Sequence, residues 1–297
     1  MLGLIKADLY RIYRDKIFWI MTIIVLAFAV LLPIIVFLFV LLIKNGVVAQ
    51  MEYEGYSQEA IAAGMDEVDK MFTPFGISFF VFSSLSVNSF VIPIFVLILL
   101  SKDVMQGTIR NKIIVGKTRE AVYFSNIIVS IIIVLGLTIA SIILSFIASV
   151  IFFHTGMTGD AVAEYFGKIG LMLLGWAVIA VVLAALACGM KNVGLAIVTY
   201  MVVYYILLMV PSMFLSFYPT FEIYLADWFK SFLVVINNMN LFYDMIGPLA
   251  PAGGIPLVGM IEPINGFFYL EFFVSLVITG GIFAVPGFFI FKNKDLK

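Results

Sequence analysis

Cysteine, histidine and charged residues are all scarce in this sequence. The chain of 297 residues holds one cysteine, Cys188, and one histidine, His154. A lone cysteine excludes an intrachain disulfide, and with a lone histidine it cannot supply the four ligands of a structural zinc site. Only 12% of the residues are charged, whereas soluble proteins average about 25%. The composition therefore excludes an ordinary soluble domain and a scaffold held by disulfides or zinc.

The sequence is instead rich in long hydrophobic runs without charged residues. The chain is 64% hydrophobic and its mean hydropathy is +1.18. About 20 apolar residues suffice for a helix that crosses a bilayer. The sequence predicts an all-α integral membrane protein with a single transmembrane domain over residues 1–297. Its six predicted spans are residues 17–43, 77–100, 123–153, 168–188, 193–215 and 267–291.

The N-terminal segment, residues 1–16, combines apolar and basic residues. Leu2, Ile5, Leu9 and Ile12 recur at helical spacing, which is typical of an amphipathic helix along the cytoplasmic membrane surface. An ordinary positive flank that orients the first span explains the composition equally well. The first apolar run is too long for the core of a signal peptide, so we expect it to stay in the mature protein.

The distribution of Lys and Arg predicts the orientation. With six crossings, 13 of the 17 Lys and Arg residues fall on the side of both termini, and basic residues favour the cytoplasm. Residues 216–266 contain several Pro and Gly and an apolar window broken by polar side chains. They predict short re-entrant helices on the outer side, not a seventh crossing. The basic inner loops, the abundance of Ile, Phe and Lys in the chain, and the lack of an evident cleavable signal indicate the plasma membrane of a bacterium.

Residues 101–122 form a charged island between two uncharged runs, and they predict a cytoplasmic loop. The island contains Gly116, Lys117 and Thr118, the end of a phosphate-binding loop, but Asn111 stands where the leading glycine is needed. We therefore expect no ATP site in this chain. No H-E-x-x-H motif occurs, and a lone His154 gives no credible Ser/His/Asp set, so we also expect no other cofactor, no metal site and no catalytic residue. The five cations of the island are Lys102, Arg110, Lys112, Lys117 and Arg119.

Few polar residues lie within the predicted spans. Ser86 and Asn88 in the second span and Glu271 near the start of the sixth are candidates for a substrate path. Polar side chains at membrane depth also bond between neighbouring helices, and Glu271 lies close enough to the outer boundary to be solvated. Both readings remain open from the sequence.

The island also carries the residues of a family resemblance. The run Asp103-x-x-x-Gly107-Thr108-Ile109-Arg110-Asn111, followed by Gly116-Lys117-Thr118-Arg119, is similar to a motif of the permease subunits of type-2 ATP-binding-cassette (ABC) exporters. That family usually has Glu where this chain has Asp103. The layout of an N-terminal helix, six spans, a loop after the second span and a long outer segment before the sixth also resembles the family.

The resemblance implies that the island is a coupling loop that docks on a separate cytosolic ATPase subunit, which would hold ATP and Mg. It also implies a dimer with a second permease copy or a sibling permease, and export of a hydrophobic or amphipathic substrate such as a peptide, drug or lipid-like molecule. Apart from these subunits and the lipid bilayer no partner is expected, and no nucleic acid. The residues assigned to the loop are Asp103, Gly107, Thr108, Ile109, Arg110, Lys112, Ile113 and Arg119.

The chemistry of the loop is compatible with docking. Gly107 allows a turn, Thr108 can cap a following helix, and Ile109, Ile113 and Ile114 predict an apolar ridge flanked by cations. The residues alone also fit an ordinary basic inner loop. An ATP-independent secondary transporter or channel subunit is the alternative function, and a membrane enzyme is disfavoured because no catalytic cluster is evident.

Overall fold

The computed structural model describes residues 1–80, 88–153, 159–206 and 266–293, and every regular element in these ranges is an α-helix. Apolar side chains recur over long stretches with few breaks, and helices satisfy all backbone groups within one segment, as a lipid environment requires. The helices are α1 Leu2–Arg14, α2 Lys16–Tyr53, α3 Gln58–Met71, α4 Pro74–Phe80, α5 Asn88–Met105, α6 Thr108–Ile114, α7 Arg119–Phe152, α8 Gly159–Gly189, α9 Val193–Ile206 and α10 Gly266–Asn293.

Five of the described helices, α2, α5, α7, α8 and α10, are long and apolar enough to cross a membrane. Helices α2, α7, α8 and α10 correspond to the first, third, fourth and sixth predicted spans. Of the predicted second span, 77–100, α5 covers residues 88–100, α4 covers residues 77–80, and residues 81–87 lie outside the described ranges. For the predicted fifth span, 193–215, the described part is the shorter helix α9. Its remainder and the predicted re-entrant segment up to residue 265 lie outside the described residues, so six crossings and re-entrant helices stay predictions.

All five of these helices extend beyond their predicted spans, and α2, α5 and α8 do so by the most residues. Helix α2 runs for 38 residues to Tyr53, where the sequence predicted an end near residue 43. At 1.5 Å per residue it is about 57 Å long, well beyond a hydrocarbon core of about 30 Å. Helix α8 begins at Gly159, before the predicted start at Lys168, and α5 continues to Met105. Hydropathy marks the lipid-crossing part of a helix, whereas backbone hydrogen bonding continues into polar residues.

Helices α5 and α8 form the interior of the bundle. In the most apolar 18-residue stretch of α8, 67% of the residues are buried, against 22% in the corresponding stretches of α2 and α10. Small side chains line α8, and Ala180, Ala184 and Cys188 are almost fully buried there, which lets α7 and α10 pack closely on it. The apolar side chains exposed on α2, α7 and α10 form the outer surface, as expected of helices that face lipid.

Candidate functional site

The charged island is mostly helical, and its first acid lies inside the protein. Residues 101–105 complete α5, residues 108–114 form α6, and α7 begins at Arg119. Asp103 lies in the last turn of α5 and is 5% exposed. Buried carboxylates require partners, because an uncompensated charge in a protein interior costs several kcal/mol. The partners of Asp103 come from both α1 and α6.

Asp8 of α1 is the centre of this cluster. Lys112 Nζ of α6 lies 2.7 Å from Asp8 Oδ1 and donates a hydrogen bond of 2.9 Å to Asp8 Oδ2. Ser125 of α7 donates a further hydrogen bond of 3.3 Å to Asp8 Oδ2. Arg11 pairs with Asp103 and lies 3.8 Å from Asp8 Oδ1. We call Asp8, Arg11, Asp103, Lys112 and Ser125 the junction cluster, because it joins α1, α5, α6 and α7.

The sequence-based reasoning missed Asp8 and Arg11, although one signal was available. The buried residues of α1 are Leu4, Ile5, Asp8 and Ile12, so Asp8 lies on the apolar face, where an acid needs a partner. Leu2, which the sequence placed on the same face as Ile5 and Ile12, is the first residue of α1 and is 76% exposed, whereas Ile5 and Ile12 are buried. The buried face of α1 packs against α7 and α2.

A second ion pair joins the turn after α1 to the end of α5. Asp15 precedes α2, and its carboxylate accepts the backbone N–H of Ile17 at 3.1 Å. Lys102 donates a hydrogen bond to the same side chain. This hydrogen bond holds the pKa of the Asp15 carboxyl below its ordinary value. The short turn between α1 and α2 is thereby attached to α5.

The apolar side chains of α6 do not form the ridge that the sequence predicted. Ile109 is 1% exposed and packs with Leu4 of α1, Val122 of α7 and Phe291 of α10. Ile113 is partly buried against the same cluster. The expectation that Ile109 lies on an outer docking ridge is therefore wrong, because the bundle covers that side of α6.

The exposed surface of α6 and its flanks carries other apolar residues. Met105, Ile114 and Val115 are 61%, 71% and 78% exposed. Arg110 and Lys117 are exposed beside them. We call these five residues the outer α6 surface. Isolated apolar residues are common on protein surfaces, but Ile114 and Val115 are adjacent at the end of α6, with Arg110 one helical turn before Ile114. Adjacent apolar residues near a cation fit a groove with acids at its rim.

The turns around α6 follow from residues of the motif. Gly107 has φ +68° and Gly116 has φ +89°, a conformation that glycine adopts without the Cβ penalty. Gly107 occupies the N-cap position of α6, so Thr108 is not the cap that the sequence suggested. Thr118 caps α7 instead, because its Oγ1 accepts the N–H of Ala121 at 3.2 Å.

A third link connects the start of α7 to the end of α10. Arg119 Nη1 donates to the backbone oxygen of Lys292 at 2.6 Å, and Lys292 Nζ lies 3.0 Å from Glu120 Oε1. One turn further on, Tyr123 OH donates to the carbonyl oxygen of Ala284 at 2.8 Å. Arg119 therefore contributes to helix packing, apart from the junction cluster.

Of the three candidate residues of a substrate path, the two that the structure describes, Asn88 and Glu271, lie on different helices. Ser86 lies outside the described residues. Asn88 opens α5 and is fully buried, and neither polar atom of its amide has a hydrogen-bond partner among the described residues. Glu271 is half-buried on α10. The described ranges contain no group of three or more His, Cys, Asp or Glu side chains that could hold a metal ion.

The fold defines the class of this chain as an all-α, multi-pass membrane protein. In comparisons with known proteins, no protein-family model matches the chain and no curated protein matches it significantly.

Proposed function

We propose that this chain is the permease subunit of an ABC exporter, with the outer α6 surface as the contact for a cytosolic ATPase subunit. The observation that supports the proposal is that α6 is exposed on one side and bound to the helical bundle on the other. Its outer side exposes Ile114 and Val115 beside Arg110, and its inner side is held by Lys112 in the junction cluster. A helix of this kind can receive a force at one side and transfer it at the other.

The junction cluster would carry that force into the transmembrane helices. Lys112 binds Asp8, and Asp8 also accepts the hydroxyl of Ser125 on α7. Displacement of α6 must therefore move α1 and the cytoplasmic end of α7, or else separate buried charges. Separation is costly at a site this buried, so movement of the helices as a unit is favoured.

The remaining steps of the transport cycle require the ATPase subunits and a second permease. The ATPase subunits hold ATP and Mg, and their closure drives the two permeases of a dimer between inward-facing and outward-facing states. The second permease is another copy of this chain or a sibling. The substrate is hydrophobic or amphipathic and leaves the cell across the plasma membrane of a bacterium, with both permease termini in the cytoplasm.

The test is recovery of an ATPase subunit from detergent-solubilised native membranes with this chain tagged. Ile114→Asp and Val115→Asp place a charge on the outer α6 surface and should abolish recovery. Tyr53→Asp is the matched control, because Tyr53 is 93% exposed at the far end of α2, on the predicted outer side. It should leave recovery unchanged.

Stability measurements separate loss of docking from loss of folding. The exposed positions of Ile114 and Val115 predict variants that purify with native thermal stability, whereas Ile109→Asp should fail to fold. Failure of the native chain to recover any ATPase would contradict the proposal, and so would undiminished recovery by the Ile114→Asp variant.

A secondary transporter is the second candidate, and one observation favours it. Lys168 lies at the predicted outer end of the fourth span, in the apolar helix α8, and is only 7% exposed. Ionisable side chains inside membrane helices are costly and commonly belong to ion or proton pathways. With Glu271 on α10, which packs on α8, the chain has two ionisable residues that coupling would require.

Transport after reconstitution without any ATPase distinguishes the two candidates. Uptake driven by a proton gradient, and its loss in Glu271→Gln and Lys168→Met, would establish the secondary transporter. Unchanged transport in Glu271→Gln across pH would remove that residue from the mechanism.

A further inference from the structure

The outward face of α1 is aromatic and basic. While Leu4, Ile5 and Ile12 are buried against the bundle, Tyr10 and Tyr13 are 58% and 60% exposed on the opposite side of the helix. Exposed aromatic side chains on one face of a helix often mark a binding surface, and none of the described helices covers these two tyrosines.

The exposed aromatic residues are ordered by contacts with one another and with a cation. The guanidinium carbon of Arg14 lies 4.6 Å from the centroid of the Tyr10 ring. Tyr13 and Trp19 meet edge to face with centroids 5.1 Å apart. The indole Nε1 of Trp19 donates a hydrogen bond of 2.9 Å to the carbonyl oxygen of Tyr13. We call Tyr10, Tyr13, Arg14, Lys16 and Trp19 the elbow patch, because it surrounds the turn from α1 to α2.

The patch continues directly into the apolar surface of α2. Trp19 is 44% exposed, and Ile20 and Ile23 beyond it are 57% and 63% exposed. Helix α2 is the most apolar of the five described helices that are long and apolar enough to cross a membrane. Tyr and Trp are enriched where such a helix leaves the hydrocarbon for the headgroups. The elbow patch therefore lies at the level of lipid headgroups.

The charges of the patch determine which headgroups suit it. Arg14 and Lys16 are exposed, while the acid between them, Asp15, is engaged by Lys102. The patch thus presents two cations outward, and its acid faces the protein. Arg binds phosphate oxygens through its planar group, and Lys contributes a point charge.

We propose that the elbow patch is a binding site for an anionic phospholipid of the cytoplasmic leaflet. Arg14 and Lys16 bind the phosphate and headgroup charge, and Tyr13 and Trp19 lie along the upper acyl chains. Bound lipid holds the turn between α1 and α2 at the membrane surface. The inference goes beyond the proposed function and does not depend on an ATPase partner.

The test uses the full chain in nanodiscs and the quenching of Trp19 fluorescence by brominated phospholipids. The contribution of Trp19 is the difference between the native chain and Trp19→Phe. Brominated phosphatidylglycerol should quench this contribution more than brominated phosphatidylcholine at equal bromine content. The double variant Arg14→Gln, Lys16→Gln should lose the excess, with the affinity for the anionic lipid lowered by roughly an order of magnitude.

Two controls keep the result interpretable. Lys191→Gln removes one exposed cation outside the patch and should keep the excess quenching. Arg14→Lys, Lys16→Arg keeps both charges and should restore it, which separates a charge effect from misfolding. Equal quenching by the two lipids in the native chain would overturn the proposal. If the double variant lost ATPase recovery but kept the lipid preference, the patch would belong to the ATPase, and the proposal would equally fail.

Discussion

Lys112 and Asp8, 104 residues apart in the chain, form a bidentate ion pair in which the lysine nitrogen lies 2.7 and 2.9 Å from the two carboxylate oxygens. Their side chains are only 10% and 5% exposed. The pair attaches the N-terminal helix to the short helix of the charged island. At this burial each charge depends on the other, unlike most surface ion pairs.

Loss of one member of this pair should be strongly destabilising. Lys112→Met should lower the free energy of unfolding by about 3 kcal/mol, because Asp8 is left buried with less compensation. The double variant Asp8→Asn, Lys112→Met should cost less than the sum of the two single variants. Thermal unfolding in detergent measures these differences. Lys6→Met changes an exposed position of α1, the helix of Asp8, and its free energy of unfolding should stay within about 0.5 kcal/mol of the native value. Strictly additive effects of the Asp8 and Lys112 variants would contradict the coupling.

Gly287 marks a close contact between helices. A Cβ at this position would lie 2.7 Å from Ala185 Cβ and 2.9 Å from Tyr123 OH. Gly287→Ala should therefore push α10 from α8 and α7 and destabilise the protein by about 1–3 kcal/mol.

Gly281 in the same helix provides the matched control for that contact. A Cβ there meets no atom within 4 Å, so Gly281→Ala should be neutral or slightly stabilising. Ala185→Gly should partly rescue the Gly287→Ala variant, because it removes the nearest clashing atom. Equal thermal stability of the two alanine variants would show that the contact is not tight.

The pair of Asp15 and Lys102 predicts a dependence of stability on pH. The folded-state pKa of Asp15 is below its ordinary value of 3.8, so the pair contributes stability above pH 3.8 and loses it as the pH falls through the lower folded-state pKa. The native chain should exceed Lys102→Met in melting temperature at neutral pH, and the difference should shrink on acidification below pH 4. A difference that stays constant between pH 7 and pH 3 would contradict this origin.

Thr118 should stabilise the charged island as the N-cap of α7. Thr118→Ala removes the acceptor for the Ala121 N–H and should cost about 1 kcal/mol, whereas Thr118→Ser should be nearly neutral. Thr108→Ala should have little effect, because the N-cap of α6 is Gly107. Hydrogen exchange in the first turn of α7 should increase only in Thr118→Ala. The reverse order of the two alanine variants would contradict the capping assignment.

Much of the fold follows from local properties of the chain. The apolar runs around residues 17–43 and 123–153 became α2 and α7 because length and hydropathy suffice to specify a membrane-crossing helix. The ends of α2 and α8 were harder to predict from the sequence, since helices continue into polar sequence wherever backbone hydrogen bonds can form.

The candidate site was only partly predictable. The motif around Asp103 and Gly107 located the region, and the left-handed turn at Gly107 agrees with its residue type. The sequence could not show that Ile109 faces inward, because the side of a seven-residue helix that is covered depends on α1 and α10.

The sequence by itself determined the helical membrane class, the positions of most spans and the location of the basic island, since these depend on the composition of continuous segments. Only the tertiary structure decided that Asp8 and Lys112 meet, that Gly287 lies against Ala185 and that the outer α6 surface consists of Met105, Ile114 and Val115 with their cations. Each of these depends on which helices become neighbours, and that is set by packing between segments far apart in the chain.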